Sequence, residues 1–489
     1  MGGINMKMIK KKIISLILII TLILGGFSNN SIFLKLEEVS AASLNQTKAT
    51  INVGDTLRLH VDGASGSIEW KTSNKKVCDV DGTGLVTPKK RGKAVIKAVI
   101  NGSETLSCKV KVRACYTISK KSKLMDVGKN KYSNYSSAYV NKYTRDWYLF
   151  RSHLEKLEKL GGGTLIVKKG TYNITSVLCI PSNVNIIFKK GAKINKTSNT
   201  HTSKFKASKT LFELVPVSKY NKKNWAKKYN GVKNVKIIGE GKNEINMNYY
   251  HQGVAVTIFH STNISISGIS FKNINEAHSI ELDAGKDINI SNCKFSGQKG
   301  SNLSREAINL DIPEKFDKTW SACDKTNNDG IVIKNCKFKN LYVGVGSHYY
   351  SYNNSANSQI YHNNVTVENC TFNNMKKFGV HALNWANCKV SNCTFDKVSG
   401  GKGDVCGIMG RGSQRLDCTG NTFKNIVNSG SEKGFGIKVV DYELGNSSIP
   451  RTYPTFVKGS GDEETNYFEK SNNYENVATK AECKIIKKK

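Results

Sequence analysis

The chain has 489 residues, and its 74 Lys and Arg against 38 Asp and Glu give a formal charge of +36. That length suits two to four domains of about 150 residues each, and the charge favours polyanionic partners. No nucleic-acid-binding motif accompanies the basic residues, so an acidic polysaccharide or anionic wall polymer is the expected partner and nucleic acid is not.

Lys10, Lys11 and Lys12 precede an apolar run over 13–24, too short to span a bilayer, and Val39-Ser40-Ala41-Ala42 supplies small residues for cleavage. Residues 1–42 therefore read as a secretory signal, and the mature chain is expected to be extracellular, with wall association open. No later apolar run of that length follows, and the C-terminus carries no lipidation motif.

Residues 43–113 hold short alternating strands separated by Gly and Asp turns, which predicts a small β-sandwich with Trp70 in its core. The succession 49–57, 68–74, 77–88 and 92–96 resembles the group 2 bacterial immunoglobulin-like domains, which implies a spacer or adhesion module. Cys78 and Cys108 fall on expected strands, and a disulfide between them stays open. Residues 114–142 lack a clear period and read as a linker.

From Thr144 a helix is expected, with Trp147, Phe150, Leu154, Leu157 and Leu160 on one stripe and Gly161-Gly162-Gly163 as its stop. It is well placed to cap the exposed end of a solenoid. Strand and turn phrases follow at 164–172, 181–192 and 234–241. The order helix, Gly-Gly-Gly-Thr, strand, Gly-Thr-Tyr, Pro-Ser-Asn-Val resembles the pectin-lyase-like superfamily over roughly 144–445. This superfamily includes pectate lyases and the polygalacturonases of glycoside hydrolase family 28.

A nine-residue phrase ending in Phe then recurs, at 263–271, 287–295, 330–338 and 364–372, with two further copies ending at Phe395 and Phe423. Successive phenylalanines are 24, 43, 34, 23 and 28 residues apart. Apolar and polar residues alternate within each copy, and Asn292, Asn335, Asn369 and Asn392 sit where a turn is needed. This repeat predicts an all-β fold, a right-handed parallel β-helix over 143–470 with a basic tail over 471–489. The thirteen cysteines include Cys293, Cys336, Cys370 and Cys393 in one slot of the repeat, which favours a ladder of buried thiols.

The strand between consecutive phrases is where chemistry is expected. With Ile280, Leu282, Ile308, Leu310, Val343, Val345, Val380, Ile408 and Ile437 inward, Glu281, Asp283, Asn309, Asp311, His348, His381, Arg411 and Lys438 would form one outward column. Gly344, Gly346, Gly379, Gly407, Gly410 and Gly436 then read as room for a ligand. Asp283, Asp311, His348 and His381 are the catalytic candidates. Glu281, Glu306, Asn309, Tyr349, Tyr350, Arg411 and Lys438 are the substrate-binding candidates. The order of Asp283, Asp311 and His348 resembles that in the polygalacturonases, but the intact motifs of that family are absent.

Two chemistries remain open. Hydrolysis would use paired carboxylates. Lyase chemistry would use a cation, or calcium, to neutralise a uronate and an imidazole as base. His348, His362 and His381 lack a metal-binding spacing, so no metal site is assigned. The expectation is a monomeric secreted enzyme cleaving a polysaccharide in a groove, with a non-catalytic adhesin as the alternative.

Overall fold

The computed structural model describes residues 41–125, 139–302, 304–314, 318–353, 358–400, 403–428, 434–442, 451–452, 455–456, 472–477 and 479–484. All but the last two residues of the expected signal lie outside these. Among the described residues no helix is long and apolar enough to cross a membrane.

Two sheets form the N-terminal sandwich. Lys48–Ile51, Glu104–Val112, Gly92–Ile100 and Ile68–Thr72 make one, and Leu57–Arg58, Leu85–Pro88 and Cys78–Val80 the other. Their core holds Leu59, Val77, Val86, Ile96 and Val110, with Cys78 and Cys108 buried as free thiols. Trp70 is only partly buried and packs against the edge of that core. The sandwich docks on the solenoid through Asn52 Nδ2 to the Asn183 carbonyl (2.9 Å), Asn185 Nδ2 to Asp55 (3.0 Å) and the Lys236–Asp55 ion pair (2.8 Å).

The remainder is a right-handed parallel β-helix with three faces. The first face is an 11-stranded parallel sheet, and the second and third belong to one 18-stranded sheet that bends at each corner. Its first strand, Ala114–Ile118, pairs in parallel with Gly163–Val167, so the solenoid begins inside the segment read as a linker. Only five residues carry that strand, and their burial does not alternate, so no period shows in the sequence. The basic tail likewise contributes strands, Asn473–Val477 and Thr479–Lys484, which extend the second and third faces.

The helix spans Arg145–Lys159, and its Trp147, Phe150, Leu154 and Leu157 merge with the solenoid core and close its first coil. Leu160, expected on the same stripe, lies past the last turn and is exposed. Gly161, Gly162 and Gly163 follow with φ of 74°, 114° and 146°, a path that residues with a Cβ rarely take.

Inside, the repeat builds ladders. The rings of Phe271, Phe295, Phe338, Phe372, Phe395 and Phe423 stack in parallel, with successive centroids 4.7 to 5.1 Å apart. Asn292, Asn335, Asn369 and Asn392 take φ of 52° to 55° at one corner, as their turn requires. Cys293, Cys336, Cys370 and Cys393 stack beside them as free thiols, each near the backbone of the coil before it. The ladder continues as Asn421 and Asn472, whose amides bond the neighbouring backbone.

The glycines have a different role from the one expected. A Cβ on Gly344, Gly379 or Gly407 would meet the ring of Phe372, Phe395 or Phe423 at 2.3 to 2.6 Å, and one on Gly436 would meet Tyr474. They form an inward column that admits the phenylalanine stack, not clearance for a ligand. Gly407→Ala should therefore lower the urea midpoint, costing about 1–3 kcal/mol by overpacking. Gly82→Ala, where a Cβ meets nothing within 4 Å, should leave it unchanged.

Candidate functional site

Register on the third face fixes which side chains can meet. Ile280–Asp283 pairs with Glu306–Asp311 so that Glu281 faces Asn309 and Asp283 faces Asp311. The next two coils place Gly346 beside Asn309 and His381 beside Gly346. The outward residues thus form two columns, not one. Glu281, Asn309, Gly346, His381, Met409 and Lys438 make the first, and Asp283 and Asp311 begin the second, which Leu383 and Arg411 continue.

Strand alternation breaks at the corner leading into this face. Ala307 and Ile308 are both in the core, so Glu306 points outward with His278, its register neighbour. For the same reason Val343 is not inward. It joins Phe378, Cys406, Met409 and Phe435 in a separate apolar cluster.

A pocket of about 400 Å³ opens here, lined by His278, Glu281, Asp283, Arg305, Asp311, Glu314, His348, Tyr349 and Tyr350. Asp311 is 4% exposed. It accepts a hydrogen bond from Asn309 Nδ2 (2.9 Å), and His348 Nδ1 lies 3.1 Å from its Oδ2. Asn328, itself buried, donates to the carbonyls of Leu282 (3.1 Å) and Asp311 (2.9 Å), and so clamps the two strand ends that carry the aspartates.

Behind this pair lies Glu306, fully buried, with neither carboxylate oxygen hydrogen-bonded. Nδ1 atoms of His348, His381 and His278 surround it at 3.4, 3.9 and 4.0 Å. Burial works to raise its pKa, but His348 and His381 outweigh it and hold the group down at about 2. Burial raises Asp311, with His348 and Asn309 opposing only in part. At His348 burial opposes the charged form, yet Asp311 and Glu306 outweigh it and raise the pKa. Arg305 Nη1 lies 2.5 Å from His348 Nε2, which calls for a lone pair there, so the resting proton sits on Nδ1.

Of the expected catalytic residues, Asp283, Asp311 and His348 come together at the pocket. His381 is 5% exposed and stands behind it against Glu306. Glu281, Tyr349 and Tyr350 line the pocket, while Asn309 and Glu306 support it from beneath. Arg411 and Lys438 are three and four strands beyond the aspartates, at least about 14 Å away at the spacing of parallel strands. Lys438 is held instead by Asp404 at 2.9 Å. His278, Arg305, Glu314 and Asn328 were missed. The first two flank strands already recognised, and counting back from Ile280 and Ile308 would have paired His278 with Glu306.

The donor atoms of His278, Glu306 and His348 lie within 4.8 Å of one another, a spacing that a cation can span. The fit is poor, because Arg305 occupies His348 Nε2 and His278 Nδ1 bonds the Glu306 carbonyl at 2.7 Å. The pocket wall is also rich in acids, with Glu281, Asp283, Asp311 and Glu314 beside Arg305, Glu314 being paired with Lys325 at 3.6 Å. That lining does not suit the acidic substrate inferred from net charge.

Buried imidazoles make the region acid-sensitive. Burial lowers His278 and His362 to about 3 and His381 to about 4, so all three are neutral in the folded protein at neutral pH. The unfolded chain gains protons first as pH falls through about 6.5, so stability is lost from there down to about 3. The Tm should drop across that window, and His362→Gln should flatten the slope.

Residues 37–110 match the family Bacterial Ig-like domain (group 2). The plasmin and fibronectin-binding protein A of Streptococcus pneumoniae (strain ATCC BAA-255 / R6) is 23% identical over 264 residues, covering 49% of this chain and 35% of that protein. The chain thus spans about a third of that relative's length. The solved structure of the Streptococcus pneumoniae surface protein and adhesin PfbA aligns at 16% identity and a TM-score of 0.47, covering 69% of this chain and 96% of that one. The Azotobacter vinelandii mannuronan C-5 epimerase AlgE4 A-module aligns at 10% identity and a TM-score of 0.35, covering 69% and 95%. The N-terminal unit carries the match to the group 2 bacterial immunoglobulin-like family, and the chain that follows it folds as a right-handed parallel β-helix.

Proposed function

We propose that the protein is an extracellular glycoside hydrolase whose acid and base are Asp311 and Asp283. The observation that carries this reading is the in-register aspartate pair at the floor of a pocket, one member raised by burial. A carboxyl group whose acid form is favoured by burial can give a proton to a leaving glycosidic oxygen, while its neighbour activates water or attacks the sugar. Neighbouring in-register groups lie about 5 Å apart, the separation of retaining enzymes.

The lyase alternative is weaker at this pocket. A lyase base needs a free lone pair, and both nitrogens of His348 are engaged, Nδ1 with Asp311 and Nε2 with Arg305. His381 does not line the pocket. The four carboxylates of the wall favour a neutral or amino sugar at the cleaved unit, since carboxylates accept hydrogen bonds from sugar hydroxyls and repel uronates. The excess Lys then serves retention on anionic wall polymers rather than substrate choice.

The test is incubation with xylan, arabinogalactan, chitosan, polygalacturonate and hyaluronate. New reducing ends without ultraviolet absorbance from a neutral or amino polymer support the reading. Unsaturated products assign a lyase instead, and binding without cleavage assigns an adhesin, in keeping with the name of the pneumococcal relative. Asp311→Asn should cut turnover by about 10²–10⁴-fold. Because Asp311 is buried and bonded, the same change should also cost about 1–3 kcal/mol of stability. Lys438→Ala should leave turnover unchanged.

A further inference from the structure

A parallel β-helix offers a long face on which a polymer can lie, but here the third face is open over only a short stretch. Toward the N-terminus the outward column continues from Glu281 to Thr257 and Glu213. Both are fully buried. The insertion after Asp311 folds back across them: Trp320 Nε1 donates to Glu213 (2.6 Å), and Lys318 reaches Glu213 (3.4 Å) and Thr210 (2.8 Å). Trp320 also packs with Phe259, Val215 and Ala226, so this roof is as tightly held as core.

Toward the C-terminus the face is filled as well. Val343, Phe378, Cys406, Met409 and Phe435 occupy outward positions but are 0 to 2% exposed. Tyr349 and Tyr350 stand at the pocket's wall, and Tyr350 is fixed by stacking on Tyr442 (4.7 Å) and by Thr452 (2.7 Å). Between these two obstructions the pocket holds about 400 Å³, near the lower end of the roughly 300–1,000 Å³ of small-ligand sites. A polymer lying along the face would have to pass through Trp320 on one side or the apolar cluster on the other.

We infer that the pocket takes the end of a glycan chain, so that the enzyme removes one or two sugars at a time instead of cutting within the polymer. This rests on the hydrolase reading above and adds to it the mode of attack. The two obstructions define the terminal unit's subsite, and the acidic wall accepts its hydroxyl or amino groups.

The experiment uses the full chain on whichever of the five polymers it cleaves, following solution viscosity and product size together. Mono- or disaccharides as the first products, with viscosity unchanged, are expected. Loss of viscosity before small products appear overturns the inference while leaving the hydrolase reading intact. No cleavage of any polymer removes that reading, and the inference with it. Trp320→Ala, which takes away the N-terminal obstruction, is expected to gain viscosity loss and longer products. Lys318→Ala, which only unties the insertion, gives the same comparison if Trp320→Ala does not fold. Either folded variant that still releases only mono- and disaccharides shows that the insertion does not set the mode, and overturns the inference.

Discussion

Phenylalanine rings stacked at 4.7 to 5.1 Å hold one coil over the next, and nearly everything else follows from the register they impose. Offset or parallel ring pairs contribute about 0.5–1.5 kcal/mol each beyond the area they bury, and the stack repeats that gain at every coil. The stack fits only because Gly344, Gly379, Gly407 and Gly436 present no side chain to it. A one-residue slip in the strands that carry these glycines would drive a Cβ into a ring and turn the outward residues inward. Fixing the rings therefore fixes Asp283 beside Asp311 and His278 beside Glu306.

The second constraint is electrostatic. A carboxylate as deeply buried as Glu306 is costly unless charge or hydrogen bonds compensate it, and here hydrogen bonds do not. His348 and His381 offset that cost, His348 the nearer, by turning ring nitrogens toward the carboxylate rather than by three full charges. His348 also faces Asp311 and favours the ionised form of both acids; burial still raises Asp311, whereas Glu306 is held down. Asn309 and Asn328 fix the positions on which that balance depends.

The repeat was legible because its signals were redundant: alternation, Phe, Asn and Cys agreed at each coil, and each ladder formed. The site was legible in part. Asp283, Asp311 and His348 met because the same register that aligns the repeats aligns them. The errors came where period-2 counting meets a corner. There, consecutive residues such as Ala307 and Ile308 both turn inward, which put Val343 on the wrong face and hid His278 as the partner of Glu306. The glycines misled for a related reason, since sequence alone does not say whether the space beside a Gly belongs to a ligand or to a buried ring. Net charge says least about the pocket. A total of +36 is summed over the whole surface, whereas the pocket's own wall sets Glu281, Asp283, Asp311 and Glu314 beside Arg305 and His348.

Insertions decide what the solenoid can do, because its coils by themselves give only a regular ridge. The segment after Asp311 leaves the third face and returns to the N-terminal coils. There Trp320 covers Glu213, and His260 bonds the hydroxyl of Ser321 at 3.0 Å. The segment after His348 supplies the tyrosines of the opposite wall. Each insertion begins one residue or fewer beyond a candidate catalytic side chain, so chain length added at those two points changes the groove without disturbing the stack. The coils thus supply position and charge, and the loops supply the boundaries, so that a scaffold suited to long polymers presents a pocket of molecular size.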